Sequence, residues 1–230
     1  MGTHDDSFAL VNELFCTQTG LLVPTLSRAQ VNRWWQLVHQ AGLTAEALVE
    51  TAGRSAAMLT LGWLGEDWPT QRVVVLAGSG FPAAVALGAA RNMANRGVNI
   101  RLWQPDLASA EALVQTQYRL YRQTGAQVVD LAELAGETAG VVLVGSDTPL
   151  TSAAQKWVAQ SGAEVVRIGE TLDDLTAAAT LVLGLPVADT HYTGQVYLAD
   201  IGVPLAVYEQ LGLYYRFVFG QQYIIPLYPR

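Results

Sequence analysis

Two short stretches and two lone charges hold the residue types that could do chemistry. The first stretch is Gly78-Ser79-Gly80-Phe81-Pro82-Ala83, which follows the apolar run Val73-Val74-Val75-Leu76 and opens an Ala-rich segment. A glycine turn between a strand and a helix leaves free N–H groups and a positive dipole end, so this spacing suits a nucleotide-like ligand. It also fits the dinucleotide fingerprint Gly-x-Gly-x-x-Gly/Ala, which wants an acidic residue about 20 positions further on. Here Asp106, after Trp103-Gln104-Pro105, comes somewhat late. A turn that only packs a helix on a strand is the plainer alternative. The second stretch is Ser146-Asp147-Thr148, after an apolar run that ends at Gly145. Arg167 and Glu170 are the lone charges. An arginine at the ligand edge of a sheet binds anions, or else pairs structurally with Glu170 or Asp147. Asp147 and Glu170 would make an acid/base pair if they faced one cleft, and are solvated loop carboxylates otherwise.

Other chemistries are excluded. His4, His39 and His191 are scattered, with no His-Glu-x-x-His motif or cysteine cluster, so no metal site is expected. Cys16 stands alone, which rules out an internal disulfide. No Gly-x-Ser-x-Gly elbow supports a serine hydrolase. A formal net charge of −7 argues against nucleic acid, whose phosphates need clustered Lys and Arg. No apolar run approaches the roughly 20 residues of a membrane span. The start, with His4-Asp5-Asp6, lacks the basic opening of a secretory signal, so a cytoplasmic protein is expected.

The elements that position these residues follow from periodicity and punctuation. Ser27 is a plausible N-cap for a helix to Gln40, stopped by Gly42, and a second helix runs from Thr44 to about Leu64. Strands are expected at Arg72–Ala77, Val98–Trp103, Ala126–Val129, Val141–Val144, Glu164–Ile168, Thr180–Leu183 and Gln195–Ala199. Helices at 82–96, Leu107–Thr124 and Leu150–Gln160 alternate with them. Wholly apolar strands alternating with helices predict an α/β fold, a three-layer αβα sandwich with a mostly parallel central sheet. Residues 1–23 read as an arm and 24–230 as one domain. Ligands of such sheets bind beyond the carboxyl ends of the strands, where both stretches and Arg167 to Glu170 fall. The tail Tyr214-Tyr215-Arg216-Phe217-Val218-Phe219, with Tyr223-Ile224-Ile225, is apolar enough for an ordered strand or a homodimer contact. Trp34 and Trp35 suit helix packing or an interface.

Three blocks within Leu26 to Gly212, namely Leu48-Val49-Glu50-Thr51-Ala52-Gly53-Arg54, Leu76-Ala77-Gly78-Ser79-Gly80 and Ala199-Asp200-Ile201-Gly202-Val203-Pro204, resemble the YjeF N-terminal domain family of NAD(P)H-hydrate epimerases. Leu48-Val49-Glu50-Thr51-Ala52-Gly53-Arg54 looks like that family's Leu-Met-Glu-Asn-Ala-Gly-Arg helix. Leu76-Ala77-Gly78-Ser79-Gly80, with Ala89-Ala90-Arg91 and Asn95-Arg96-Gly97, matches the flanks of its glycine loop. Ala199-Asp200-Ile201-Gly202-Val203-Pro204 is similar to its closing Asp-Ile-Gly-Ile-Pro signature.

The departures fall where that chemistry should be. The family's loop continues Asn-Asn-Gly-Gly-Asp-Gly and supplies oxygens to a monovalent cation; here the positions read Phe81 to Ala86, so the cation site is expected to be lost. Pro82 removes an N–H at the helix start, yet proline is tolerated in a first turn. The resemblance sets Arg167 at the family's catalytic aspartate, and a guanidinium cannot accept a proton. The family's Val-Asp-Ala-Leu-Phe-Gly-Thr-Gly loop is shortened to Val144–Thr148, and its later Pro-Lys is Pro186-Val187.

The expectation is thus a divergent YjeF N-terminal-like domain without catalysis, binding a nucleotide-like small molecule, NAD(P)H-like in class, or a protein partner. No catalytic residue is assigned. The ligand-site candidates are Gly78, Ser79, Gly80, Phe81, Pro82, Ala83, Ser146, Asp147, Thr148 and Arg167. Two alternatives stay open: an active epimerase in which Asp147 or Glu170 replaces the aspartate, and a dimeric scaffold without ligand. The dehydratase fused to some relatives is expected on a separate polypeptide. Either an open pocket lies between Gly80, Asp147 and Arg167, or Phe81 fills it.

Overall fold

The computed structural model describes residues 15–170 and 174–230. The strands are β1 (Phe15–Thr17), β2 (Leu22–Val23), β3 (Arg72–Ala77), β4 (Asn99–Trp103), β5 (Gln127–Val128), β6 (Val141–Gly145), β7 (Glu164–Ile168), β8 (Ala179–Leu183), β9 (Gln195–Ala199) and β10 (Ile224–Pro229). The helices are α1 (Arg28–Gln40), α2 (Ala45–Leu64), α3 (Gly80–Ala94), α4 (Ala112–Arg122), α5 (Ser152–Ser161) and α6 (Leu205–Gln210). All strands join one sheet in the order β2-β1-β10-β9-β8-β7-β6-β3-β4-β5. From β9 to β5 every pairing is parallel, and β10, β1 and β2 add an antiparallel edge. The expected α/β fold with a mostly parallel sheet is therefore present.

Successive side chains of a strand face opposite layers, and the core divides accordingly. Val73 and Val75 face the cluster built by α1, α2, α3 and α4, whereas Val74 and Leu76 face the smaller one closed by α5. Those four side chains have no exposed surface, which is why their run shows no polar alternation. Local signals set the helix ends. The Ser27 N–H donates to Gln30 Oε1 at 2.9 Å, and the Thr44 hydroxyl accepts from Ala47 N at 3.2 Å. Gly53 allows α2 to lie directly on α3, because its missing β-carbon would sit 3.1 Å from the Gly88 carbonyl carbon. Glu50 then ties three helices together, through Arg91 Nη2 at 2.5 Å and Gln117 Nε2 at 3.2 Å.

The structure departs from the expected elements in several places. The helix expected from Leu107 begins only at Ala112, because the Asp106 carboxylate accepts from both the N–H and the hydroxyl of Ser109 and holds a turn there. The helix after β3 starts earlier than expected, at Gly80. The expected strand at 126–129 shrinks to Gln127–Val128. Of the expected arm, residues 1–14 lie outside the described residues, and Phe15 onward is built into the sheet. The tail supplies β10, which inserts between β1 and β9 although Pro226 carries no N–H. No described helix is long and apolar enough to cross a membrane.

Candidate functional site

Parallel pairing of β3 with β6 sets Ala77 opposite Gly145 and so places the two turns side by side. From β3 the chain moves outward to β4 and β5, then returns to β6 on the other flank. The gap between β3 and β6 is therefore the point where strand order reverses, and ligands of such sheets sit there. Backbone bonds stitch the turns: Gly78 N donates to Gly145 O at 2.8 Å, and Asp147 N to Ser79 O at 3.1 Å.

A hydroxyl cluster fills the seam. The Ser79 hydroxyl donates to Asp147 Oδ1 at 2.5 Å. Its proton is then committed, so Thr148 Oγ1, 2.7 Å away, donates to Ser79 Oγ. The Ser146 oxygen, nearly fully buried, accepts from Ser79 N at 3.2 Å and from Thr148 N at 3.3 Å. Both glycines are required by their neighbours. A β-carbon on Gly78 would overlap Ser146 Oγ, and one on Gly80 would overlap the Asp147 carboxylate.

Two cavities flank this seam. The larger, about 420 Å³, lies on the α1 side and is walled by Trp35, Phe81, Pro82, Asp147, Glu170 and Tyr192 among others. The smaller, about 320 Å³, opens over Gly78, Ser79, Gly80, Asp106, Ser146 and Thr148. Phe81 is half-buried and packs on Trp35 at 5.2 Å between ring centroids, so it forms a wall and leaves the larger cavity open. Ala83 is buried in α3 and lines neither cavity.

The expected group between Gly80, Asp147 and Arg167 is thus only partly assembled. Arg167 lies within β7 with 1% of its surface exposed, and is absent from the walls of both cavities. Asp147 and Glu170, by contrast, share the larger cavity. Glu170 Oε2 accepts from Arg28 Nη1 at 2.7 Å, and Arg28 Nη2 also donates to Thr190 Oγ1 at 2.9 Å. Arg28 thereby joins the start of α1 to the segments after β7 and before β9. Tyr192 supplies another wall; burial pushes its phenol up to about 12, so it stays protonated and cannot serve as a base. Its oxygen accepts from Val187 N at 2.8 Å.

Sequence reasoning missed Arg28, Trp35, Val187 and Tyr192 as lining residues. Arg28 lies 142 positions from Glu170, and nothing local in the chain signals that meeting. Among the described residues no group of three or more His, Cys, Asp or Glu could hold a metal ion.

Comparison with known proteins places this geometry. Residues 45–165 match the family described as YjeF-related protein N-terminus. Enhancer of mRNA-decapping protein 3 from Macaca fascicularis is 30% identical over 241 residues, covering 94% of this chain and 47% of that protein. The chain therefore spans about half the length of the decapping enhancers it matches. An NAD(P)H-hydrate epimerase from Dehalogenimonas lykanthroporepellens is 28% identical over 212 residues, covering 83% of this chain and 86% of that enzyme. The crystal structure of yeast ynu0 superposes with a TM-score of 0.71 at 15% identity, over 89% of this chain and 100% of that one, a likeness of fold.

Proposed function

Because this chain belongs to the family of YjeF-related N-terminal domains, as its match over residues 45–165 shows, we propose that it is a non-catalytic member that acts by binding a protein partner. Arg167 carries this reading. The position that the resemblance assigns to the family's proton acceptor holds a guanidinium with 1% exposure, and no guanidinium takes up a proton at physiological pH. The loop that should supply cation ligands offers Phe81 and Pro82, which pack as walls. The relatives named enhancers of mRNA decapping support a role in assembling a cytoplasmic complex. The exposed rings of Tyr214, Phe217 and Tyr223 support contact with a second copy or another chain. A nucleotide-like ligand at the turn of Gly78 to Gly80 remains part of the proposal, since that turn lies at the reversal of strand order.

A second reading, an active NAD(P)H-hydrate epimerase, is favoured by one observation: Asp147 and Glu170 border the same cavity. Incubating the protein with one hydrated nicotinamide epimer and following the other by proton NMR separates the readings. No conversion above buffer is expected, and a faster rate overturns the non-catalytic reading. A thermal-shift series with adenine nucleotides tests the nucleotide: a saturable shift supports it, and none at millimolar ligand removes it. Recovery of decapping proteins on the tagged chain after nuclease treatment is the partner result expected, and their absence counts against that partner.

A further inference from the structure

Trp34, Trp35, Phe81 and Tyr192 give the cavity of about 420 Å³ an aromatic wall. Trp35 joins that wall together, at centroid distances of 4.7 Å to Trp34 and 5.2 Å to Phe81. Two carboxylates border the same space. Glu170 is neutralised by Arg28, the one cation among the lining residues. Asp147 has no Lys or Arg within ion-pair distance among the described residues, and its carboxylate receives only the neutral Ser79 hydroxyl. The positive end of α3, which begins at Gly80, offsets this carboxylate only in part, so net negative charge remains beside the aromatic faces.

We propose that this cavity binds a small organic ammonium ion carrying apolar substituents on its nitrogen. The inference rests on reading the domain as a binding module, and it names the chemistry of a ligand for its cavity. Aromatic faces attract a cation through the ring quadrupole, and a carboxylate completes the pairing. An anionic group brought to the same wall meets Asp147 as a like charge. The volume falls within the range of small-molecule sites, roughly 300 to 1,000 Å³. The chain's net charge of −7 draws cations toward the surface over longer distances. Arg28 does not oppose the ion, because its guanidinium is already bound to Glu170 and Thr190.

The test titrates the full chain with choline chloride at constant ionic strength, read by tryptophan fluorescence. The isosteric alcohol 3,3-dimethylbutan-1-ol, which replaces the charged nitrogen by carbon, is the control. Saturable choline binding, with the alcohol weaker by about tenfold or more, is expected from a desolvated cation–π contact plus an ion pair. Asp147→Asn and Trp35→Leu should each weaken choline by a similar factor while leaving the thermal midpoint within a few degrees. The choline–alcohol comparison on the unaltered chain decides the matter if either variant fails to fold. Equal binding of the alcohol, no saturation at millimolar choline, unchanged affinity in a folded Asp147→Asn, or binding of a lysine peptide but not choline would each overturn the proposal. Conversion of hydrated nicotinamide epimers would sink the non-catalytic reading; a blank titration without such conversion sinks only the ammonium site.

Discussion

Asp147 occupies the space into which a side chain at Gly80 would project. A β-carbon there would overlap Asp147 Oδ2, and Gly80 holds φ at +69°, a conformation that side chains resist. Gly80 is also the first residue of α3, so the carboxylate rests against the electropositive end of that helix. A nucleotide-like ligand at this turn would therefore present its base or sugar, because a phosphate would have to displace the protein's own anion. The turn and the carboxylate therefore specify each other.

Gly80→Ala should lower unfolding stability by about 2–4 kcal/mol, from a left-handed penalty of roughly 1–2 kcal/mol and the displacement of Asp147. Asp147→Gly in the same chain removes the overlap but leaves the backbone penalty. Urea unfolding of both single variants and the double variant should give losses that fall short of additivity by about 1 kcal/mol or more. Strict additivity would mean that the two residues do not meet in solution.

Ser146→Ala tests the seam from the other side. The buried Ser146 oxygen is the acceptor for the N–H groups of Ser79 and Thr148. Removing it leaves both donors unsatisfied, at a cost of about 1–3 kcal/mol. The midpoint of urea unfolding should fall with an unchanged slope, and a neutral result would place water at those donors.

How much of this was legible before the fold was known depended on whether the signal was local. The run Val73 to Leu76 announced a strand buried on both faces, and Ser27 and Thr44 marked helix starts by their capping chemistry. The parallel rule brought Gly78–Gly80 beside Ser146–Thr148, since consecutive carboxyl ends share one edge. Arg167 misled because a lone arginine closing a strand reads as exposed, whereas β7 lies between β6 and β8 in the middle of the sheet. The apolar tail at Ile224-Ile225 allowed an ordered strand, but its place between two other strands was obscured by Pro226 and Pro229, which ordinarily argue against such a position. Phe81, Pro82, Ser146 and Asp147 marked one side of the larger cavity, but nothing short-range connects Arg28 with Glu170 and Thr190, so its α1 side had no signature in the chain.

The helix segment that carries the family resemblance acts as packing, and Gly53→Ala measures it. Alanine would add up to about 1 kcal/mol of helix propensity to α2. Its β-carbon, however, would press on backbone, at 3.1 Å from the Gly88 carbonyl carbon and 3.2 Å from Ala89 N. The backbone of α3 has little room to retreat, because every residue from Ala83 to Ala90 is buried. Overpacking of this kind costs about 1–3 kcal/mol, so net destabilisation is expected in thermal unfolding. A stabilised variant would show that α3 can shift.

Alkaline pH should unfold this protein through its buried phenols. Burial raises Tyr192 and Tyr215 to about 12, from an ordinary value of 10.0, and pushes Tyr121 and Tyr208 upward as well. Below pH 10 both folded and unfolded chains keep these protons, and stability does not depend on them. Between pH 10 and 12 the unfolded chain releases protons that the folded chain retains, so stability falls as pH rises. For Tyr192 the loss approaches about 2 kcal/mol by pH 12. Urea midpoints measured from pH 8 to 11.5 should decline above pH 10, with the absorbance of the buried phenolates appearing only on unfolding. Tyr192→Phe should shallow that decline, while lowering stability at pH 8 because Val187 N loses its acceptor. A flat profile to pH 11.5 would mean that these rings ionise in the folded state and reach solvent there.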